Sequence, residues 1–277
     1  MQRTTLFRMG AVVIGGWASV AAAQTACTGP GDANADGIVD PMDSGFVLSR
    51  LGCTVDSGDA GCDAADANGD GVVDPTDLGF VSARFGTAYF DYGAHRDNLE
   101  AEMLAMAVSG QLRAPDDEYD RILGDLALIR TEFPELTAVV DDPDYVPDQL
   151  IVNVDDDGSI ADYEALNEHL LVVDEQVYSW GRVLTFCDNL NAFAAATEYA
   201  ALAEVNWAEP NFLIGIDDYF TVVPDGDTYH YSIDDGFWDC FDGCDCHHYW
   251  EIDVAGDGTV TLVSYSEAGA PWCEFDG

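Results

Sequence analysis

The same twelve-residue acidic loop occurs twice, as DANADGIVDPMD at residues 32–43 and as DANGDGVVDPTD at residues 66–77. Each copy places carboxylate or amide oxygens at positions 1, 3, 5, 9 and 12 and a glycine at position 6. That is the ligand spacing of an EF-hand-type calcium loop, in which position 7 adds a backbone carbonyl and the glycine makes a sharp turn. The first loop offers Asp32, Asn34, Asp36, the carbonyl of Ile38, Asp40 and Asp43, with Gly37 at the turn. The second offers Asp66, Asn68, Asp70, the carbonyl of Val72, Asp74 and Asp77, with Gly71 at the turn. Four carboxylates in so short a segment repel one another until a cation joins them, so the spacing predicts two bound calcium ions.

The duplication runs past the ligands. Aligning residues 32–52 with 66–86 gives 14 identities in 21 positions, among them Pro41/Pro75, Phe46/Phe80, Arg50/Arg84 and Gly52/Gly86, the mark of an internal repeat. Asp40 and Asp74 are placed to cap helices whose first turn carries proline, and Gly52 and Gly86 are placed to stop them. Residues 24–31 and 59–65 are rich in Gly, Ala, Asp and Cys and read as poor helix formers. Each unit is then a loop and one helix, half an EF-hand, with Asp at position 12. This pair of half-hands, over residues 27–88, resembles the type I dockerin family. The resemblance implies a small all-α, non-catalytic module that folds around two calcium ions and binds an extracellular protein, in cellulosomes a cohesin domain. The residues it points to for that contact are Met42, Leu48, Ser49, Arg50, Thr76, Ser82, Ala83 and Arg84. Where such dockerins carry Ser/Thr pairs at loop positions 10 and 11, this chain has Pro41-Met42 and Pro75-Thr76. Calcium binding therefore carries over, and cohesin as the partner does not.

Residues 1–23 read as a secretory signal peptide. Arg3 and Arg8 precede an apolar run too short for a comfortable membrane span, and the alanines at 21–23 suit the small-residue cleavage rule. An exported, extracellular protein is the expectation. The chain holds 53 acidic residues against 9 basic ones, all arginine, for a formal net charge of −44. Such a surface repels phosphate backbones and anionic membranes and attracts divalent cations and basic proteins, so nucleic acid is excluded as a partner. With 48% hydrophobic residues, the chain is too apolar for a disordered acidic tail.

The remainder reads as an α+β multidomain arrangement. Residues 95–140 form a helical segment: Leu99, Met103, Met106 and Ala107, then Ile122, Leu126 and Ile129, recur at three- and four-residue steps, with breaks at Gly110, Pro115 and Pro134. Residues 141–216 alternate strand and helix in the order of a ferredoxin-like split βαβ sandwich, with residues 177–186 as one bent strand or two and His169 as a packed or half-buried histidine. Here VPDQLIVNV and VNWAEPN (residues 205–211) resemble subtilase propeptide domains of the inhibitor I9 or fervidolysin-prodomain type. That resemblance implies a protease partner met by the strand around Glu209, Pro210 and Asn211, although no protease follows in the chain. Residues 217–277 form a Cys-containing β hairpin unit, with strands at 248–254 and 259–265.

Eight cysteines in an exported chain suggest disulfides. Cys53 and Cys62 can clip the two calcium helices, and Cys273 can tie the C-terminal end to Cys240, Cys244 or Cys246. Cys27 and Cys187 are the expected free thiols. The competing use of Cys240, Cys244, Cys246 and His247 or His248 as a zinc site lacks a CxxC spacing. No HExxH, nucleophile elbow or phosphate loop occurs, and acidic pairs are unavoidable in this composition, so no catalytic residue is assigned. The reading is an exported, non-catalytic attachment protein, with a link to polysaccharide degradation only through the company dockerins keep. The alternative is a propeptide-like protease inhibitor.

Overall fold

The computed structural model describes residues 27–55, 59–93, 95–141, 143–155, 159–213, 218–237 and 244–273. Residues 1–23, read from the sequence as a signal peptide, and Cys240 lie outside the described residues. In the N-terminal module, α1 (Pro41–Leu48) follows the first loop. Between the loops lies α2 (Ala60–Ala65), and α3 (Pro75–Ser82) follows the second. α1 and α3 begin alike: Asp40 and Asp74 are N-caps, Asp43 and Asp77 complete reciprocal capping boxes, and proline occupies the start, where no N–H donor is needed. Val39, Val47, Val73 and Val81 are fully buried. Each loop pairs with the segment leaving the other repeat's helix, Val39 with residues 86 and 87 and Val73 with residues 52 and 53. The repeats are therefore interlocked. The helix α2 runs against the reading of residues 59–65 as poor helix formers. Its cap is Asp59, and the Cys53–Cys62 disulfide ties it to the end of the first repeat, which offsets the low helix propensity of Gly61 and Asp63.

The middle domain runs β1 (Tyr145–Val154), α6 (Ala161–His169), β2 (Val172–Tyr178), β3 (Gly181–Phe186), α7 (Ala192–Ala200) and β4 (Val205–Phe212). Its antiparallel sheet has the order β2-β3-β1-β4, the split βαβ topology. Residues 177–186 thus span the turn of a β2–β3 hairpin. Alternate residues Leu150, Val152, Leu184 and Phe186 are buried with Tyr163 of α6 and Tyr199 of α7.

The same hydrophobic core extends into the N-terminal module through Tyr89 and Tyr92. The Tyr92 hydroxyl donates to the Leu170 carbonyl at 2.6 Å, and the Phe90 N–H to the His169 carbonyl at 2.7 Å. Cys27 and Cys187 are joined by a disulfide with a Cα–Cα distance of 5.7 Å, which corrects their reading as free thiols. The two residues meet because the module docks against the end of α6, a contact 160 residues apart in sequence. His169 itself is exposed rather than packed or half-buried, with Nδ1 3.0 Å from the Ala88 carbonyl oxygen.

The C-terminal unit holds four strands where the sequence showed two. They are β5 (Asp218–Asp225), β6 (Thr228–Phe237), β7 (Cys246–Val254) and β8 (Val260–Gly269), an antiparallel meander in chain order. Onto it pack α4 (Leu99–Ser109) and α5 (Asp116–Glu132): Met103, Met106, Ile122, Leu126 and Ile129 share one core with Phe220, Tyr231, Ile233, Ile252 and Val254. The helical segment and the C-terminal unit, separate in the sequence reading, are one body with the split βαβ domain inserted between them. Arg121 ties the layers, donating to Asp125 at 2.8 Å and to the Val254 carbonyl at 2.9 Å, while the Tyr231 hydroxyl donates to Asp125 at 3.0 Å. α4 departs from a simple stripe: Leu99 and Ala107 are exposed, and residues 100–106 are buried all round. The buried Glu100 accepts from Arg130, and Glu102 from Asn189.

Candidate calcium centres and the face they position

The two loops adopt the same hydrogen-bond pattern. In the first, Oδ1 of Asp32 accepts from the N–H of Asp36 at 3.1 Å and Oδ2 from Gly37 at 2.9 Å. Asp66 does the same for Asp70 at 3.1 Å and Gly71 at 2.7 Å. Asp43 accepts from the N–H groups of Asn34 at 3.0 Å and Asp40 at 2.7 Å, and Asp77 from those of Asn68 at 3.1 Å and Asp74 at 2.7 Å. Position 12 therefore closes each loop onto its positions 3 and 9. Gly37 and Gly71 sit at φ 85 and 92, the left-handed region that the turn requires. At position 4, Gly69 has φ 72 where the first loop has Ala35 at φ 60.

Asp43 and Asp77 are 0% exposed, and no arginine or histidine pairs with either among the described residues. A buried carboxylate without a counter-charge is costly. Each has accepted one N–H per oxygen and keeps lone pairs for a further partner. Burial raises the Asp32 carboxyl above its ordinary range; the N–H groups of Gly37 and Asp36 oppose this, and the neighbouring Asp43 and Asp36 add to it. An all-oxygen set with four carboxylates fits a hard divalent cation such as calcium, which would supply the charge each loop lacks. Cys53, Asp59 and Cys62 also lie within 4.8 Å of one another, but both sulfurs belong to a disulfide and offer no thiolate.

Each loop aims its helix outward. Met42, Leu48 and Ser49 of the first repeat and Thr76, Ser82 and Ala83 of the second are exposed. Arg50 and Arg84 are half-buried because each guanidinium lies 3.6 Å from the ring of its own repeat, Phe46 or Phe80. Exposed Gly45 and Gly79 occupy equivalent positions with open space above them. The faces differ at position 11. Thr76 is held by its loop, donating to Asp74 and accepting from Asn68, whereas Met42 projects freely and is 68% exposed.

At the other end of the molecule, Cys246 is bonded to Cys273, and Cys244 is also disulfide-bonded. His247 engages Asp234 through Nδ1 and the Cys244 carbonyl through Nε2, and His248 engages Asp235. The cluster is thus disulfides and His–carboxylate pairs, with those thiols unavailable to zinc.

Two interlocked loop–helix repeats, each closed by its own buried aspartate, define a duplicated calcium-loop module. Comparison with protein families matches residues 30–86 to the dockerin type I domain, and the chain carries a domain of that family there. Dockerin domains bind calcium and cohesin-type partner proteins. No curated protein and no solved structure matches the chain. No helix among the described residues is long and apolar enough to cross a membrane.

Proposed function

We propose that this is an exported, non-catalytic protein that attaches to an extracellular protein partner through its dockerin domain, with one calcium ion in each loop. The observation that supports this most is the duplicated exposed face of α1 and α3, whose position depends on both loops being closed. The ligands are Asp32, Asn34, Asp36, Ile38, Asp40 and Asp43 in one site and Asp66, Asn68, Asp70, Val72, Asp74 and Asp77 in the other. The contact residues are Met42, Leu48, Ser49 and Arg50 with Thr76, Ser82, Ala83 and Arg84. With proline at position 10 of both loops and Met42 beside it, the partner meets a more apolar surface than a Ser/Thr pair would give. The signal-peptide reading of residues 1–23 places the protein where calcium is abundant and disulfides persist. A link to polysaccharide degradation would come through the partner. The inhibitor reading has the split βαβ topology in its favour, and a topology shared by many functions does not carry one.

The test is affinity capture on the immobilised full chain from the secreted proteins of the source organism, with calcium and with EDTA. A protein retained only with calcium, and lost when Met42 and Leu48 are replaced by Asp, is the expected result. Retention that ignores both changes would overturn the reading.

A further inference from the structure

Three times among the described residues an aromatic ring and a carboxylate share an arginine. Arg96 lies over Tyr119 and pairs with Asp116, Arg121 lies over Tyr229 and pairs with Asp125, and Arg182 lies over Tyr163 and pairs with Glu175. A fourth grouping of rings and carboxylates has no such cation. It is a cleft of about 180 Å³ where α4, the entry to β1 and the start of β5 meet. Tyr145 and Phe193 form one wall, edge to face with centroids 5.3 Å apart, and Phe212 stands 6.3 Å beyond Phe193. Phe193 and Tyr219 are about half exposed, while Phe220 is buried.

Two carboxylates, Asp141 and Asp144, line the cleft. Asp141 and Asp144 lie close enough to Tyr145 to add to the effect of burial in pushing its hydroxyl pKa well up. The Tyr145 hydroxyl and the Asp144 carboxylate make no hydrogen bond among the described residues, and Asp141 accepts from the Phe220 N–H at 2.8 Å. Among the described residues, no arginine or histidine lines the cleft. Rings that present a negative face, beside carboxylates and inside a chain of net charge −44, attract a cation with an apolar shell. The volume admits one head group and is too small for a sugar chain.

We propose that this cleft binds an organic cation, an alkylammonium group. The group comes either from a small free ammonium compound or from a basic side chain of a protein. Asp144 supplies the counter-charge, and Tyr145, Phe193 and Tyr219 supply the ring faces.

Isothermal titration of the full calcium-loaded chain in physiological salt tests this with four probes: tetramethylammonium, choline, its uncharged isostere 3,3-dimethylbutanol, and a trimethyllysine peptide. Choline or the peptide should bind about tenfold more tightly than the uncharged isostere. Asp144→Asn, Phe193→Ala and the exposed-ring variant Tyr219→Ala should each weaken that binding several-fold with an unchanged circular dichroism spectrum. Glu209→Gln, an equal charge change on the far sheet face, should not. Binding of choline and tetramethylammonium assigns the free compound as sufficient; binding of the peptide alone, with the same Asp144 and Phe193 dependence, assigns a protein side chain. No binding of any cation, equal binding of the isostere, or equal loss in Glu209→Gln would overturn the proposal.

Discussion

Replacing Cys27 and Cys187 with serine removes the covalent tie between the dockerin domain and the split βαβ domain. The bond closes a loop of 160 residues, and the chain entropy that such a cross-link removes from the unfolded state corresponds to about 5 kcal/mol. The full effect reaches one transition only if the two domains unfold together. The shared core of Val39, Val47, Val73 and Val81 with Tyr89, Leu150, Tyr163 and Leu184 gives that expectation. For a cooperative unit of this size, the loss amounts to a fall of roughly 10–20 °C in melting temperature. Scanning calorimetry of the parent and the double variant in calcium, with intact-mass counting of alkylated thiols, measures it. Two domains that already melt separately in the parent, or a double variant within about 2 °C of it, would refute a single cooperative unit. Two alkylatable thiols in the native parent would refute the bond itself.

Asp36→Ala and Asp70→Ala should each weaken their own calcium site far more than the other, and the double variant should lose the module's fold; calorimetric titration showing two sites at parent affinity in the double variant would reject these ligands. Ala35→Gly should stabilise the calcium-loaded chain by about 1 kcal/mol, because Ala35 holds a left-handed conformation that glycine adopts without a Cβ penalty, and Gly69→Ala should cost a similar amount; equal melting curves would contradict both. Asp125→Ala should cost about 3 kcal/mol, since it strips the buried partner from Arg121 and Tyr231 at the seam between α5 and the meander. Urea unfolding of Asp125→Ala, Tyr231→Phe and their combination should show a sum smaller than its parts, and strict additivity would mean the groups act independently.

Features that depend on neighbours within a few residues were legible in the sequence. The capping aspartates, the prolines after them and the loop spacing are local, and α1 and α3 start where Asp40 and Asp74 place them. The turn-closing glycines and the Ile122, Leu126, Ile129 stripe belong to the same class. What depends on distant packing was hidden. Residues 218–237 mix large side chains on both faces, with Tyr219 exposed beside buried Phe220, so no clean alternation announced β5 and β6. α4 buries Glu100 and Glu102 only because Arg130 and Asn189 come to meet them from elsewhere in the fold. The Cys27–Cys187 pairing required the docking of Tyr92 on Leu170, which no spacing encodes. The cation cleft was invisible for the same reason: its rings come from β1, α7 and β5 and its carboxylates from the segment before β1.

The proposed sites make the fold calcium-dependent, because the buried Asp43 and Asp77 have no counter-charge among the described residues and the shared core would pass a collapse of either loop on to the middle domain. The direct measurement is a calorimetric calcium titration of the EDTA-stripped full chain, paired with melting curves in calcium and in EDTA. Two ions per chain and a large rise in melting temperature on binding are expected. No calcium uptake, or superimposable melting curves in the two conditions, would contradict this.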